Sequence, residues 1–330
     1  MKIYKRITCV IIALILAFSC TGCTTKDGKQ IEVVFHSDKK TVFKLGNMKC
    51  GIPEAKLYLM NTKNNYSTIS GIDIWNGEFD EDVISASVKS MALSHLTRVY
   101  SLCYYAEMKG IHLTDTEAMM VRSAAAEYYA SLTEDEKAYF DLDESQIADI
   151  YGRYALAVKM NDLLMDNVDE EVSDDEARVM SAMVIFVSSL DKANEIEDKL
   201  KNGYIFENQA ASNTELDSYI VTFPRGTYPQ NVENIIFNLD EKKASDKIEA
   251  DNGYYFFYIT SKYLEEESEE NKETIRKKRR ALALDEVVAD VEKNVYSDFN
   301  ENLWKTFDLK TAKNVNTNTM FTVLERYTKE

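Results

Sequence analysis

Two hydrophobic periods alternate along this chain. From Asp80 to Met180 apolar residues recur every three or four positions, beginning with Val83, Ile84, Val88, Met91, Leu96, Val99 and Leu102. That spacing predicts a helix, ended by Gly110. A series of pairs follows in which Thr, Asp or Ser precedes Glu or Gln by three residues: Thr114/Glu117, Thr133/Glu136, Asp143/Gln146 and Ser173/Glu176. Each pair can satisfy orphan amides at a helix start, so each predicts a new helix. The longest of these runs over 145–168, with Ile147, Ile150, Tyr151, Tyr154, Val158 and Leu164 on its apolar side. Upstream, "IEVVF" and "TVFKLGNMKCG" read as strands, the second with a turn at Gly46-Asn47. "IPEAKLYLMNTKNN" reads as a helix with Pro53 in its first turn.

At Ser181 the period changes. "SAMVIFV" is a short apolar run of strand type, and "LDKANEIEDKLKNG" is an amphipathic helix closed by Asn202-Gly203. "IFENQAASN" predicts a second helix, "SYIVTF" a strand, "PRG" a turn and "YPQNVENIIFNL" a third helix. "ASDKIEA" and "YYFFYITSKY" form a hairpin. The order β-α-α-β-α-β-β, set among helices, predicts an α+β chain. After Lys262 a helix carries acids first and cations later, and the basic run Arg276–Arg280 reads as a solvated helix face rather than an anion-binding patch. Trp304 and Phe307 in the less regular tail are expected to dock on the helical region.

Charge and the N-terminus narrow the function. The formal charge is −17, and the first 22 residues contribute +3, which leaves −20 on the remainder. Such a surface repels nucleic acid phosphates. Lys2, Lys5 and Arg6 precede the apolar run "ITCVIIALILAF" and then "SCTGC", the plan of a secretory signal too short for a comfortable membrane span. "CTGC" resembles the bacterial lipobox, with Cys23 at the position that receives lipid and Cys20 where an aliphatic residue is usual. The resemblance implies an extracytoplasmic lipoprotein held at the membrane by its acyl chains. Beyond Cys23 only Cys50 and Cys103 remain, either paired or as independent thiols.

Several pieces taken together resemble the extracytoplasmic foldases related to PrsA and SurA. "YYAEMKGIHLTDTEA" is similar to a pattern of their helical chaperone domain. "NGYIFENQA", "FPRG", "IIFNL" and "NGYYFFYI", in this order, resemble a parvulin-type peptidyl-prolyl isomerase domain. The resemblance implies a signal peptide over 1–22 and an N-terminal, largely helical chaperone region over 23–180. It implies a parvulin-like domain over 181–263, and a C-terminal helix and tail over 264–330 that return to the helical region. Unfolded or newly secreted polypeptides would be the partners, and a homodimer is compatible with it.

Peptide bond rotation has a barrier of about 18–20 kcal/mol, so an isomerase must bind the twisted amide better than the planar one. Parvulins place two histidines at that centre. The histidines of this chain are His36, His95 and His112, all upstream of the domain. By resemblance the two positions fall at Met183 and Tyr255, with Asp217, Tyr219 and Asn252 at the other polar positions of the site. Phe223, Tyr228 and Val232 map to the prolyl-ring socket. The expectation is a chaperone whose isomerase activity is weak or lost. An active isomerase using Tyr255 and Asp217, or an assembly lipoprotein with one partner, are the alternatives.

No cofactor is indicated. The acid-rich stretch "DNVDEEVSDDEA" (Asp166–Ala177) lacks the glycine and spacing of an EF-hand and reads as helix capping and solvated acids. No phosphate-binding loop, dinucleotide fingerprint or GxSxG elbow occurs.

Overall fold

The structure is a computed structural model that describes residues 39–328 apart from 70, 76, 311 and 313. The signal segment, Cys23, the strand expected at Ile31–Phe35 and His36 lie outside the described residues. The chain divides into two compact units: residues up to Asn167 with those from Leu284 on, and Val168–Ala283. The architecture is α+β, as the two periods predict.

The first unit opens with a hairpin, β1 (Thr41–Leu45) and β2 (Met48–Gly51), turned at Gly46-Asn47 with Gly46 at φ +57°. Helix α1 (Ile52–Asn65) follows with Pro53 in its first turn. A two-residue ladder, β3 (Thr68–Ile69) and β4 (Ile72–Asp73), leads to the long helix α2 (Glu81–Met108). Asp80 caps α2 by accepting from the amides of Asp82 and Val83. Val83 was expected on its apolar side but is 54% exposed, and in that first turn Ile84 is the residue that faces the core. Helices α3 (Asp115–Ser131), α4 (Glu134–Phe140) and α5 (Glu144–Met165) each begin with a complete capping box. Reciprocal bonds of that kind are local, which is why sequence marks these starts so well.

A buried ion pair ties three of these helices. The Glu54 carboxylate on α1 receives both Nε and Nη2 of Arg153 on α5, at 3.2 and 2.7 Å. It also accepts from the Tyr100 hydroxyl on α2 at 2.7 Å. Glu54 is 5% exposed, so these partners stand in for water around its carboxylate. Cys50 and Cys103 are buried free thiols, the second donating to the Arg153 carbonyl at 3.1 Å. Burial pushes the Cys103 thiol up to about 12 and raises Cys50 as well, which keeps both inert.

The second unit starts with a short helix, α6 (Asp174–Ala177), and the strand β5 (Val179–Val187). Then come α7 (Leu190–Lys201), α8 (Phe206–Asn213), β6 (Ile220–Pro224), α9 (Gln230–Ile236), β7 (Ile248–Ala250) and β8 (Gly253–Ser261). The four strands form one antiparallel sheet in the order β6-β5-β8-β7. Helix α10 (Glu265–Asn294) follows, and its buried Ser268 accepts the Val179 amide at 3.0 Å, sealing the start of β5.

Two charge runs expected to be solvated satisfy each other instead. Arg276 donates to the Glu170 carbonyl, and Arg279 donates to the carbonyls of Asp169 and Glu171. Arg279 also holds the Glu176 carboxylate at 2.7 and 2.9 Å, and Arg280 pairs with Glu170. This explains the fourth capping motif: Ser173 accepts the Glu176 amide at 3.2 Å, while the Glu176 side chain turns to Arg279. Arginine matches main-chain and carboxylate oxygens in this fork geometry better than a solvated role requires.

The tail returns to the first unit. Strand β9 (Ser297–Phe299) adds to β1, giving the order β2-β1-β9, and α11 (Glu301–Lys305) carries Trp304. Trp304 and Phe307 are buried in the helical core, as expected. Helix α12 (Met320–Thr328) packs against α3 and α5. The sequence pattern missed β9 and α12, since three- and nine-residue elements carry too little period to read.

Two outcomes follow from this core. Replacing Arg153 by Leu should cost about 3 kcal/mol in urea unfolding because it strands a buried carboxylate. Glu54→Leu in the same chain should restore a large part, and no recovery in the double variant would reject the pairing as the cause. His95 lies against Tyr58, Tyr154 and Phe321 at ring distances of 5.4, 5.7 and 4.8 Å. Burial, and then the Arg98 charge, lower its pKa from 6.5 to about 4. The unfolded chain therefore takes up this proton first. The stabilisation is complete above pH 6.5 and is lost as pH falls toward 4, a term of about 3 kcal/mol. His95→Phe should flatten the loss of stability between pH 7.5 and 4.5, and parallel curves for both proteins would count against it.

Candidate functional site

The site is built on β8, "GYYFFYITS". Gly253 opens it at φ +145°, a conformation that L side chains rarely adopt. A Cβ there would stand 2.7 Å from the Val187 carbonyl and 2.8 Å from the Phe186 ring. The glycine thus lets β8 leave its two-residue turn from β7 while the Phe186 ring lies across it.

Successive residues of β8 then point to opposite faces. Tyr255, Phe257 and Ile259 share one face with Ala182 and Val184, with Phe186 packed alongside. That face packs on Phe223 of β6, Val232 and Ile236 of α9, Phe237 and Ile248. Met183 falls on the other face with Ile185, Val187 and Phe256, under Ala193, Ile196, Phe206 and Ala210 of α7 and α8. Tyr219 lies there too, its hydroxyl 3.5 Å from Glu207. Met183 and Tyr255, the two positions expected for the histidines, lie on opposite faces of the sheet. The residues of β5 that do neighbour Tyr255 are Phe186, directly across the ladder, and Val184, which pairs with Phe257. Asp217 is exposed on the loop before β6 and belongs to neither face.

Five of the expected residues come together: Phe223, Tyr228, Val232, Asn252 and Tyr255. The Tyr228 ring stands edge-on to Tyr255, Phe257 and Phe223 at 5.8, 5.0 and 5.1 Å, the favoured arrangement for aromatic quadrupoles. Phe186 and Tyr255 lie 4.7 Å apart. The Asn252 side-chain amide donates to the Tyr255 hydroxyl at 2.8 Å. Burial, with Tyr255 beside it, pushes the Tyr228 hydroxyl up to about 12, so it stays a neutral phenol rather than a base.

The loop that carries Tyr228 is held by a residue no motif marked. The buried Glu233 carboxylate accepts the amides of Gly226 and Tyr228 at 2.7 and 3.1 Å. Below it, Arg225 and Arg178 stack on the Phe237 ring at 4.2 and 5.1 Å, and both pair with Asp175.

Chemically this is a filled aromatic core with a narrow polar rim. Phe223 and Val232, the socket positions, are 1% and 0% exposed, and Tyr255 is 5% exposed. Tyr228 and Phe186 are the half-buried members at its edge. Among the described residues no group of three or more His, Cys, Asp and Glu side chains is placed to hold a metal ion.

No family model matches the chain, and no curated protein matches it. Among solved structures it is similar to PrsA foldases and SurA-like chaperones. Peptidylprolyl isomerase PrsA from Bacillus cereus is 18% identical, with 88% of this chain and 100% of that one covered at a TM-score of 0.40. PrsA from Bacillus anthracis is 19% identical, covering 61% of this chain and 95% of that one at 0.34. A SurA-like chaperone of Campylobacter jejuni is 9% identical, covering 79% and 99% at 0.27. At these scores the functional reading rests on the residues of this chain.

Gly253→Ala should destabilise the protein by at least about 2 kcal/mol, through φ strain and the clash with the Val187 carbonyl. Tyr255→Phe, which removes one hydrogen bond to a rim amide, should cost about 1 kcal/mol or less. Urea unfolding of the two variants checks the order, and a Gly253→Ala cost below that of Tyr255→Phe would contradict it.

Proposed function

We propose that the chain is an extracytoplasmic, lipid-anchored chaperone of the foldase type, which holds newly exported polypeptides, and that its parvulin-like unit has little or no prolyl isomerase activity. The observation that carries the reading is the face bearing Tyr255. Where the resemblance calls for two imidazoles around an open socket, that face holds Val184, Phe186 and Tyr255 packed among further rings. Isomerisation needs room for the prolyl ring and polar groups that favour the twisted amide. Here the socket positions are closed by their own neighbours, and the Tyr255 hydroxyl is already engaged by Asn252.

The alternative of an active enzyme using Tyr255 with Asp217 has geometry against it, since Asp217 is exposed and off that face. The motifs of the helical region, the signal segment and Cys23 support the chaperone and its anchor. Among the described residues no helix is long and apolar enough to cross a membrane.

The mature chain should leave the isomerisation rate of a proline-containing peptide within twofold of the uncatalysed rate, and should suppress aggregation of several unrelated denatured proteins. Catalysis that disappears in Tyr255→Phe would overturn the inactive assignment. Failure to protect any of those substrates would instead favour an assembly lipoprotein with a single partner.

A further inference from the structure

In the first unit a stretch of the chain's own tail lies bound like a ligand. Residues 315–319, in neither helix nor strand, run into α12. Side chains from three helices bond the main chain there and at Met320, the first residue of α12. Asn64 of α1 donates to the carbonyls of Val315 and Thr317, at 3.0 and 2.8 Å. Glu136 of α4 accepts the amides of Asn316 and Thr317, at 2.9 and 2.8 Å. Asn61 of α1 accepts the Met320 amide at 3.1 Å, and Tyr151 of α5 donates to the Met320 carbonyl at 2.7 Å. Tyr128 of α3 bonds both Asn61 and the Thr317 hydroxyl.

The partners are built in and the bound segment is generic. Asn61, Glu136, Tyr128 and Tyr151 are all buried, so they are costly to leave unpaired. The segment reads "NVNTNTM" over Asn314–Met320; Asn316, Asn318 and Thr319 turn their side chains to solvent, and the exposed Asn314 donates to Asp135 at 2.8 Å. Only Val315 and Met320 bury theirs. Packing a tail onto a helical core calls for apolar side chains. A row of buried amide, carboxylate and phenol groups aimed at backbone amides and carbonyls reads polypeptide whatever its sequence.

We propose that this groove between α1, α4 and α5 is a binding site for extended polypeptide, and that residues 314–320 are its resident competitor. This deepens the chaperone reading and rests on it. A client segment would enter by displacing the strap, and its apparent affinity would be scaled by the fraction of molecules whose strap is open.

The test uses the full mature chain and weakens the strap while leaving the groove intact. Thr317→Pro removes the amide that Glu136 accepts and the hydroxyl that Tyr128 bonds. A labelled peptide of residues 314–324 should bind this variant at least tenfold more tightly than the parent. In the parent, the amides of Asn316, Thr317 and Met320 should exchange with deuterium at least tenfold faster than the core amides of α5. A folded variant that ignores the peptide would overturn the proposal. Strap amides that exchange only together with those of α5 would do so as well, and they decide the matter if Thr317→Pro does not fold. A denatured protein that fails to displace the bound peptide would remove clients from this groove, whereas loss of all aggregation suppression would strike the chaperone reading itself.

Discussion

A sheet packed on both faces commits every residue of its inner strands to one of two cores, and the second unit is organised by that commitment. β5 and β8 are the inner strands, each flanked on both sides in the order β6-β5-β8-β7. One face is covered by α7 and α8, the other by α9 and the aromatic loop before it. Apart from Thr260, exposed near the end of β8, the residues of these two strands are buried or half-buried, so a polar side chain in their middle must find its partner within its own layer. Tyr255 does so through Asn252 at the turn. Val184 and Phe186 avoid the problem by being apolar. The face bearing Tyr255 is therefore a close-packed, largely apolar core, with the Tyr255 hydroxyl paired at its rim.

The same parity shows where sequence reading succeeds and where it slips. The order of elements and three of the capping boxes were legible, because each depends on contacts within four residues. Strand β8 was legible through its opening glycine and its row of aromatics. The face that Met183 takes was not, since a one-residue shift within "SAMVIFV" changes no composition but exchanges the faces. Charge runs were misread for a different reason. Arg279 meets Glu176 across a sequence separation of 103 residues, and nothing local announces such a pairing. Glu233 was invisible in the same way, because its task is to hold two amides of a loop rather than to present its charge.

The helical unit uses buried polarity in two chemically distinct modes. In the first, Arg153 and Tyr100 both bond the Glu54 carboxylate, side chain to side chain. Each partner is specified by identity, and loss of the Arg153 guanidinium or the Glu54 carboxylate leaves the opposite charge without its counter-ion. Such a contact fixes which helices meet and closes the core permanently. In the second mode Asn61, Asn64, Glu136 and Tyr151 bond main-chain atoms of the tail. Every residue except proline carries the same amide and carbonyl, so these groups are satisfied equally well by any extended segment that reaches them. Specificity for the tail then comes from its being tethered a short distance away, not from what it is. A core closed only by contacts of the first kind is inert toward other chains. A core that adds contacts of the second kind retains a site where another polypeptide can substitute for its own.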